Sequence, residues 1–390
     1  MLNKLNSNPA KLFLLNRSIF DIRALKLAES ALCITSPNPR VGCVLTSSTG
    51  LYIGHGHTQA AGAFHAEVMA LRDAFTKGHS AVNATAHVTL EPCSHHGRTP
   101  PCCDALIEAG VTKVVVAILD PNPLVSGRGI GTLRTCGIEV EVLPTDSTEA
   151  QASRELNIGF FSRMIRKTPW VRLKVAASLD GTTALNNGTS QWITSHEARA
   201  DGHAWRARSC AVMTGIGTVL KDQPQLNVRL VDTPRQPHVV VVDSDLQTPL
   251  NAPLFIAARA VFICSKAQFD TQYLVRKAAL EAKGASIIEL PADASGKVDL
   301  SEMMLELGRR EINELHVEAG HKLNGSLIRA GLVDEFLVYL APKLLGVGAG
   351  MSNLGPLTEL AQAVPLAFKS CEMVGPDLRI VARVAGRDVF

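Results

Sequence analysis

Short apolar runs alternate with helix-patterned segments along this chain, and that alternation admits few folds. Val41-Gly42-Cys43-Val44-Leu45, Ala86-His87-Val88-Thr89-Leu90, Lys113 to Ile118 and Gly137 to Val142 read as strands. Between them, residues 16–32 place Ile19, Ile22, Leu25, Leu27 and Leu32 near helical spacing, and Ala66 to Phe75 reads as a second helix. Residues 1 to about 15 read as a loosely ordered extension. The first helix must stop before Thr35-Ser36-Pro37-Asn38-Pro39, because a residue that precedes proline disfavours the α region. Strands that alternate with helices predict a layered α/β domain with a largely parallel sheet.

A helical stretch over 147–164 leads to Lys167-Thr168-Pro169, and the pattern then restarts with the strand Trp170 to Val175. Further strands are predicted around 210–214, 238–243, 260–264, 286–290, 314–318 and 334–341, several of them separated by helices. The chain therefore reads as two α/β domains, 16–165 and 166–390. Its 390 residues agree, since single cores stop growing at roughly 250–300 residues.

Composition removes several classes of function. A net charge of +3 and 5% aromatic residues supply neither the basic stripe nor the stacking platforms of a nucleic-acid enzyme. No apolar run approaches the ~20 residues needed to span a bilayer, and no small-residue cleavage site follows Leu12-Phe13-Leu14-Leu15. Nine cysteines spread over a long chain suit a reducing compartment rather than a disulfide scaffold, so a cytoplasmic location is expected.

The grouping of Cys93, Cys102 and Cys103 then points to metal. His65-Ala66-Glu67 opens the second predicted helix, Glu91-Pro92-Cys93 follows a predicted strand, and Pro100-Pro101-Cys102 comes after a gap of eight residues. One imidazole and two thiolates suit zinc. Three protein ligands leave a fourth position for water, whose pKa zinc lowers toward roughly 7. Glu67 is placed to carry protons, the role of the non-ligand glutamate in zinc deaminases. Cys93 beside a helix N-terminus would ionise more readily. A closed structural site with Cys103 or His95 as fourth ligand is the competing reading, and it leaves Glu67 without a task.

The stretch Thr89-Leu90-Glu91-Pro92-Cys93-Ser94-His95-His96-Gly97-Arg98-Thr99-Pro100-Pro101-Cys102 closely resembles the signature of the bifunctional deaminase/reductase family of riboflavin biosynthesis. Ser36-Pro37-Asn38-Pro39 with Val41-Gly42, His65-Ala66-Glu67 and Asp120-Pro121-Asn122-Pro123 agree with it. The resemblance implies a cytidine-deaminase-like first domain that acts on a diaminopyrimidinone carrying a ribosylamino 5′-phosphate. It places zinc on His65, Cys93 and Cys102, the proton shuttle on Glu67, and substrate contacts on Asn38, Arg98, Asp120 and Asn122. Asn38 and Asn122 lie in proline-rich turns, where asparagine also caps its own backbone.

The second half lacks G-x-G-x-x-G, so the Rossmann fingerprint is absent. Gly215-Ile216-Gly217-Thr218 after an apolar run, and Glu318-Ala319-Gly320 before Asn324-Gly325-Ser326, read as strand-to-helix turns able to meet phosphate. With Ser178-Leu179-Asp180-Gly181, Ser190-Gln191-Trp192-Ile193-Thr194 and Ala341-Pro342-Lys343-Leu344-Leu345-Gly346, they resemble the reductase half of the same family. That resemblance implies a dihydrofolate-reductase-like fold and NADPH, which would reduce C1′ of the opened ribosylamine. It places cofactor near Ala176, Trp192, Thr218, Asp222, Ser244 and Gly320, and substrate near Ser190, Arg206, Leu226, Arg229 and Glu318. Arg206 and Arg229 suit a sugar phosphate, which guanidinium binds in bidentate fashion. Lys174, Asp222 and Glu318 are the candidates to polarise or protonate the opened sugar, although Lys174 alternates with apolar neighbours and could face solvent. The expected partner is a small phosphorylated pyrimidine, with neither nucleic acid nor membrane, and the expected assembly is a homo-oligomer.

Overall fold

The computed structural model describes residues 9–390 except His96 and Arg98, and of residues 9–18 only the backbone. Two compact units divide it, the first ending at Ile165 and the second running from Arg166 to Phe390.

The first unit orders its elements as α1 (Pro9–Ser30), β1 (Gly42–Thr46), β2 (Tyr52–His57), α2 (Ala66–Thr76), β3 (Thr85–Val88), α3 (Cys102–Glu108), β4 (Lys113–Val116), α4 (Arg128–Thr135), β5 (Glu139–Val142), α5 (Thr148–Leu156) and α6 (Ile158–Arg166). Five strands form one sheet in the order β2-β1-β3-β4-β5. β3, β4 and β5 run parallel, whereas β1 is antiparallel to both β2 and β3. The sheet is therefore mixed, not largely parallel. The unforeseen strand is β2, whose sequence Tyr-Ile-Gly-His-Gly-His lacks a run of large apolar residues. Its glycines have a packing reason: a Cβ on Gly54 would stand 2.5 Å from the Ala70 carbonyl, and one on Gly56 2.6 Å from that of Ala66. Side-chain-free positions on β2 let the backbone of α2 lie against the sheet.

The helix α1 also departs from expectation. It begins at Pro9, so residues 9–15 are helical rather than an extension; residues 1–8 lie outside the described residues. Its buried face is Ala24 and Ala28 with Asp21, and Ala31 follows just past the helix, while Ile19 and Ile22 are exposed. Small residues face inward because a Cβ on Gly42 would meet the Ala24 carbonyl at 1.9 Å, an approach that leaves no room for leucine or isoleucine. The predicted helix over 147–164 is two helices. Asn157 separates α5 from α6 and turns its amide onto Arg40: Oδ1 accepts the Arg40 backbone N–H at 2.7 Å, and Nδ2 donates to its carbonyl at 2.9 Å.

The second unit contains β6 (Trp170–Ser178), β7 (Thr182–Leu185), α7 (His196–Arg208), β8 (Ala211–Gly215), α8 (Ile216–Asp222), β9 (His238–Val242), β10 (Val261–Lys266), α9 (Thr271–Ala282), β11 (Ala285–Leu290), α10 (Leu300–Arg309), β12 (Glu314–Val317), α11 (His321–Arg329), β13 (Glu335–Ala341), β14 (Gly348–Gly350), β15 (Leu366–Val374) and β16 (Asp377–Val384). Nine strands form a sheet ordered β11-β10-β9-β8-β12-β6-β13-β16-β15, and β7 pairs with β14 apart from it. Pairing is parallel from β11 through β13 and antiparallel from β13 to β16 to β15. Alternate side chains feed two cores. Ala211, Met213 and Val240 pack with Met303, Leu307 and Leu327 of α10 and α11. Val212, Val239 and Val241 pack with Val219, Tyr273 and Leu280 of α8 and α9. Helices thus cover both faces, which is why the central strands read as continuous apolar runs.

Candidate active sites

In the first unit, three elements converge. His65 is the N-cap of α2, Cys93 lies in the segment after β3, and Cys102 is the first residue of α3. His65 Nδ1 stands 3.3 Å from Cys102 Sγ and 3.6 Å from Cys93 Sγ. The three ligand atoms lie within 4.8 Å of one another. One imidazole nitrogen and two sulfurs at that spacing are a zinc donor set. The Cys102 backbone N–H points at Cys93 Sγ from 3.3 Å, so the start of α3 supplies the electropositive setting foreseen for that thiol. Hydrogen bonds from Cys102 and His65 hold the Cys93 thiol below its ordinary value, while Cys102 is raised.

Glu67 sits in the first turn of α2, 3% exposed. Burial pushes its carboxyl up and the neighbouring Cys93 adds to the shift. A carboxyl raised above its ordinary range takes up a proton more readily, which suits a proton carrier. Cys103 faces the other way: its Sγ lies 3.5 Å from the carbonyls of Pro92 and Gly129. Burial raises that thiol further, and it stands outside the donor cluster. His95 is exposed and also outside that cluster. The closed four-ligand reading therefore finds no fourth ligand among the described residues.

Asp120 is 6% exposed, and its carboxyl is pushed up to about 7, by burial first and then by Glu91 and Cys93. Its Oδ1 accepts the Asn122 N–H at 2.7 Å. Asn122 Oδ1 accepts the Leu124 N–H at 3.1 Å, the local capping that asparagine favours in turns. Asn38 lies partly exposed in the 35–38 turn, where its N–H donates to the Thr35 carbonyl at 2.8 Å. Arg98 lies outside the described residues.

In the second unit, a cavity of about 1560 Å³ opens at the ends of β8, β12 and β6. Lys174, Ala176, Ser190, Thr218, Asp222 and Ser244 line it, as do Glu318 and Gly320. Two helices begin there with glycine N-caps and no side-chain cap: α8 after Gly215 and α11 after Gly320. Three other helices of the unit are capped by their own side chains, α7 by Ser195, α9 by Asp270 and α10 by Asp299. The start of α10 also lines the cavity with its cap in place, whereas the starts of α8 and α11 keep their backbone N–H groups free of a side-chain cap and available to an anion. Lys221, Lys297 and Lys322 also line the cavity; they carry no motif in the sequence, because each is a lone lysine. Cavity size, free helix starts and cations fit a dinucleotide bearing three phosphates.

Arg206, Leu226, Arg229 and Trp192 do not line the cavity. Arg206 stands directly behind Glu318, its Nε and Nη2 gripping both carboxylate oxygens, the latter at 2.8 Å. Its Nη1 donates to the Asn227 carbonyl at 2.9 Å. Burial pushes the Glu318 carboxyl up, but Arg206 outweighs it and holds the group well below the usual carboxylate range. Lys174 faces the cavity rather than open solvent; burial lowers its ammonium pKa, with Glu318 opposing and Arg206 assisting. Arg229 is exposed, and its backbone N–H donates to His203 Nδ1 at 3.1 Å. Leu226 is buried in a left-handed conformation with φ of 51°, its carbonyl held by Arg259 Nη1 at 2.5 Å. Trp192 is exposed beneath the Arg199 guanidinium, 4.5 Å from its ring centre.

Two family stretches without an assigned task meet in this unit. Asp180 accepts the N–H groups of Leu345 and Gly346, the latter at 2.7 Å, and Thr182 Oγ1 donates to the Gly346 carbonyl at 2.6 Å. They tie together the bases of β7 and β14, which form one wall of the cavity.

Residues 169–380 match the family described as RibD C-terminal domain, and residues 18–118 match the cytidine and deoxycytidylate deaminase zinc-binding region. The chain is 44% identical over 361 residues to riboflavin biosynthesis protein RibD of Escherichia coli, covering 91% of this chain and 96% of that one. It is 43% identical over 376 residues to the protein of the same name from Haemophilus influenzae, with 93% and 96% covered. Among solved structures it is similar to Acinetobacter baumannii RibD, with a TM-score of 0.83, 38% identity, and 95% and 99% of the two chains covered. A diaminohydroxyphosphoribosylaminopyrimidine deaminase/5-amino-6-(5-phosphoribosylamino)uracil reductase from Thermotoga maritima superposes with a TM-score of 0.81 at 30% identity, with 95% and 99% covered.

Proposed function

The chain belongs to the RibD family of bifunctional riboflavin-biosynthesis enzymes, and from that premise we propose which of its residues carry the deaminase and reductase reactions. The first unit removes ammonia from the 2,5-diamino-6-(5-phosphoribosylamino)pyrimidin-4-one, and the second reduces its ribosyl group to ribityl. The observation that carries the reading is the closure of His65, Cys93 and Cys102 to within 4.8 Å beside a buried Glu67.

His65 Nδ1, Cys93 Sγ and Cys102 Sγ would hold zinc, which when bound supplies the Lewis acidity that makes hydroxide accessible at neutral pH. Glu67 takes a proton from the attacking water. It returns that proton to the ring nitrogen and carries the next to the departing amine, so water replaces ammonia with no net redox change. Asp120 and Asn122 lie on the turn that would meet the substrate; Asn38 and Arg98 complete the proposed contacts.

In the second unit, the N–H groups opening α8 and α11, with Thr218, Ser244 and Gly320, would hold NADPH, which when bound supplies a hydride to C1′. Ala176, Trp192 and Asp222 complete the proposed cofactor contacts. Glu318, pinned as an anion by Arg206, steadies positive charge at C1′ and its nitrogen as the sugar ring opens. Lys174, whose ammonium burial makes more acidic, donates the proton that the released sugar oxygen takes up. Ser190, Leu226 and Arg229 are the remaining proposed substrate positions, with Arg229 exposed and able to reach a phosphate.

No helix among the described residues is long and apolar enough to cross a membrane. Nine free thiols support a reducing, cytoplasmic setting. A homo-oligomer is supported by β15, a nine-residue strand at the sheet edge that exposes Leu366, Phe368 and Met373. A charge of +3 supports a small-molecule substrate and no nucleic acid.

Glu67→Gln is the decisive variant. Ammonia release should stop while zinc binding and NADPH oxidation on pre-deaminated substrate persist. Retained ammonia release overturns the assignment of Glu67, and loss of both activities overturns that of separable sites.

A further inference from the structure

We infer that Glu91 is a positioning residue of the deaminase reaction: one buried carboxylate fixes the turn bearing Asp120 and Asn122 to the segment bearing Cys93. The inference rests on the reading of the first unit as the deaminase.

Glu91 precedes Cys93 by two residues and is 4% exposed. Its Oε2 accepts the backbone N–H of Asp120 at 3.3 Å and of Gly127 at 3.0 Å, and its Oε1 accepts that of Ile130 at 3.3 Å. Its own backbone N–H donates to the Ile118 carbonyl at 3.0 Å. These partners span the connection from β4 to α4 and the first turn of α4. That helix starts at a glycine N-cap with no cap of its own, so Glu91 caps it from a distance, with a charge suited to a helix N-terminus. A buried carboxylate is tolerated where its acceptor positions are filled, and backbone groups of this one connection fill them.

The packing leaves little slack. A Cβ on Gly129 would stand 2.0 Å from the Pro92 carbonyl oxygen and 3.2 Å from Glu91 Oε1. Cys103 Sγ closes a further side, 3.5 Å from the carbonyls of both Pro92 and Gly129. The Asp120–Asn122 turn is therefore held at one distance from Cys93, and the carboxylate does this without facing the donor cluster. Releasing it should blur recognition of the substrate while His65, Cys93 and Cys102 stay together.

Glu91→Gln tests this in the full zinc-loaded chain, because it keeps the size but turns an NH2 group against backbone donors. Zinc content, and the deaminase KM and kcat on the phosphorylated diaminopyrimidine, are measured alone and in an Asp120→Asn background. The expected result is a KM raised at least tenfold, kcat within about threefold, unchanged zinc, and no further rise in KM in the double variant. A structural role would give additive losses or lost zinc, and either outcome, or an unchanged KM, overturns the inference. If Glu91→Gln fails to fold, Glu91→Asp keeps the charge, withdraws it by one bond and carries the same test. A wild-type chain that releases no ammonia overturns the deaminase reading and the inference with it. A working wild type with additive variants overturns the inference alone.

Discussion

Replacing Arg206 by leucine removes the contact that does most to keep Glu318 of the cavity ionised. The guanidinium meets Glu318 through two parallel hydrogen bonds, and the side chains are 13% and 16% exposed. Removing one partner of a buried pair costs about 3–5 kcal/mol; residual exposure puts this pair at the lower end, about 3 kcal/mol. The loss has a definite pH signature. With Arg206 present, Glu318 has a folded pKa below the unfolded value of about 4.3, so its stabilising contribution is present above that value and fades as pH falls through the folded one. With Arg206 gone, burial is opposed only by the weaker pull of His316, 3.4 Å from Oε1, and of Lys174, and the folded value rises above the unfolded one. The deficit of Arg206→Leu should therefore be greatest at neutral pH and shrink toward pH 4. Urea unfolding by tryptophan fluorescence reads it cleanly, because Trp170, Trp192 and Trp205, the three tryptophans of the chain, lie in the second unit. Arg206→Leu with Glu318→Leu should regain most of the stability while NADPH oxidation stays lost. A single-variant deficit under about 1 kcal/mol, the value of a surface pair, would refute the picture of Glu318 as a locked anion.

Three further outcomes are expected. Cys102→Ser should lose zinc and ammonia release, whereas Cys103→Ala should retain both, measured as zinc per chain; equal loss would place Cys103 in the donor set. Gly320→Asp should fold normally, since the nearest atom to its new Cβ is Thr218 Oγ1 at 3.9 Å. Its carboxylate would cap α11 and repel phosphate, so KM for NADPH should rise at least tenfold, and an unchanged KM would remove that helix start from the cofactor site. Burial first, then Arg206 and Arg229, lowers His203 to about 4. A cationic group with a depressed folded pKa leaves stability intact above its unfolded value near 6.5 and erodes it as pH falls toward 4, by up to about 1.4 kcal/mol per pH unit. His203→Gln should flatten that slope in tryptophan-monitored unfolding, and an unaltered slope would assign it to other groups.

The metal cluster was legible in the sequence because its chemistry needs particular side chains in a particular order. His65, Glu67, Cys93 and Cys102 each bring a reactive group, and the strand and helix starts that carry them read clearly. The alternating strands β1, β3 and β4, and the central strands of the second unit, were legible because burial on both faces leaves uninterrupted apolar runs. The same reasoning fails where packing wants no side chain at all. Gly54 and Gly56 erase the signature of β2, and the buried face of α1 is marked by small alanines while its larger Ile19 and Ile22 are exposed. β15 is exposed along nearly its whole length, so no apolar run marks it.

The reductase residues show a different limit. Arg206 suits a phosphate by its chemistry, yet it stands behind Glu318 with its donors engaged by protein atoms. A residue type predicts what a group can bind, whereas its neighbours decide what is left to bind. The backbone carries the complementary case. Ser195, Asp270 and Asp299 each take up one or two N–H groups of their own helix starts, so those ends have less to offer a ligand. Gly215 and Gly320 leave theirs unsatisfied, and both open on one cavity. What appears in the sequence as a missing cap becomes, once β8 and β12 are adjacent, a pair of uncapped helix starts facing the same space. Glu91 completes the logic in the first unit, where α4 also lacks a cap of its own and receives one from the residue that precedes Pro92-Cys93. An uncapped helix start is therefore informative only with the fold in hand: in one unit it marks room for a ligand, and in the other it marks the hold that one loop keeps on another.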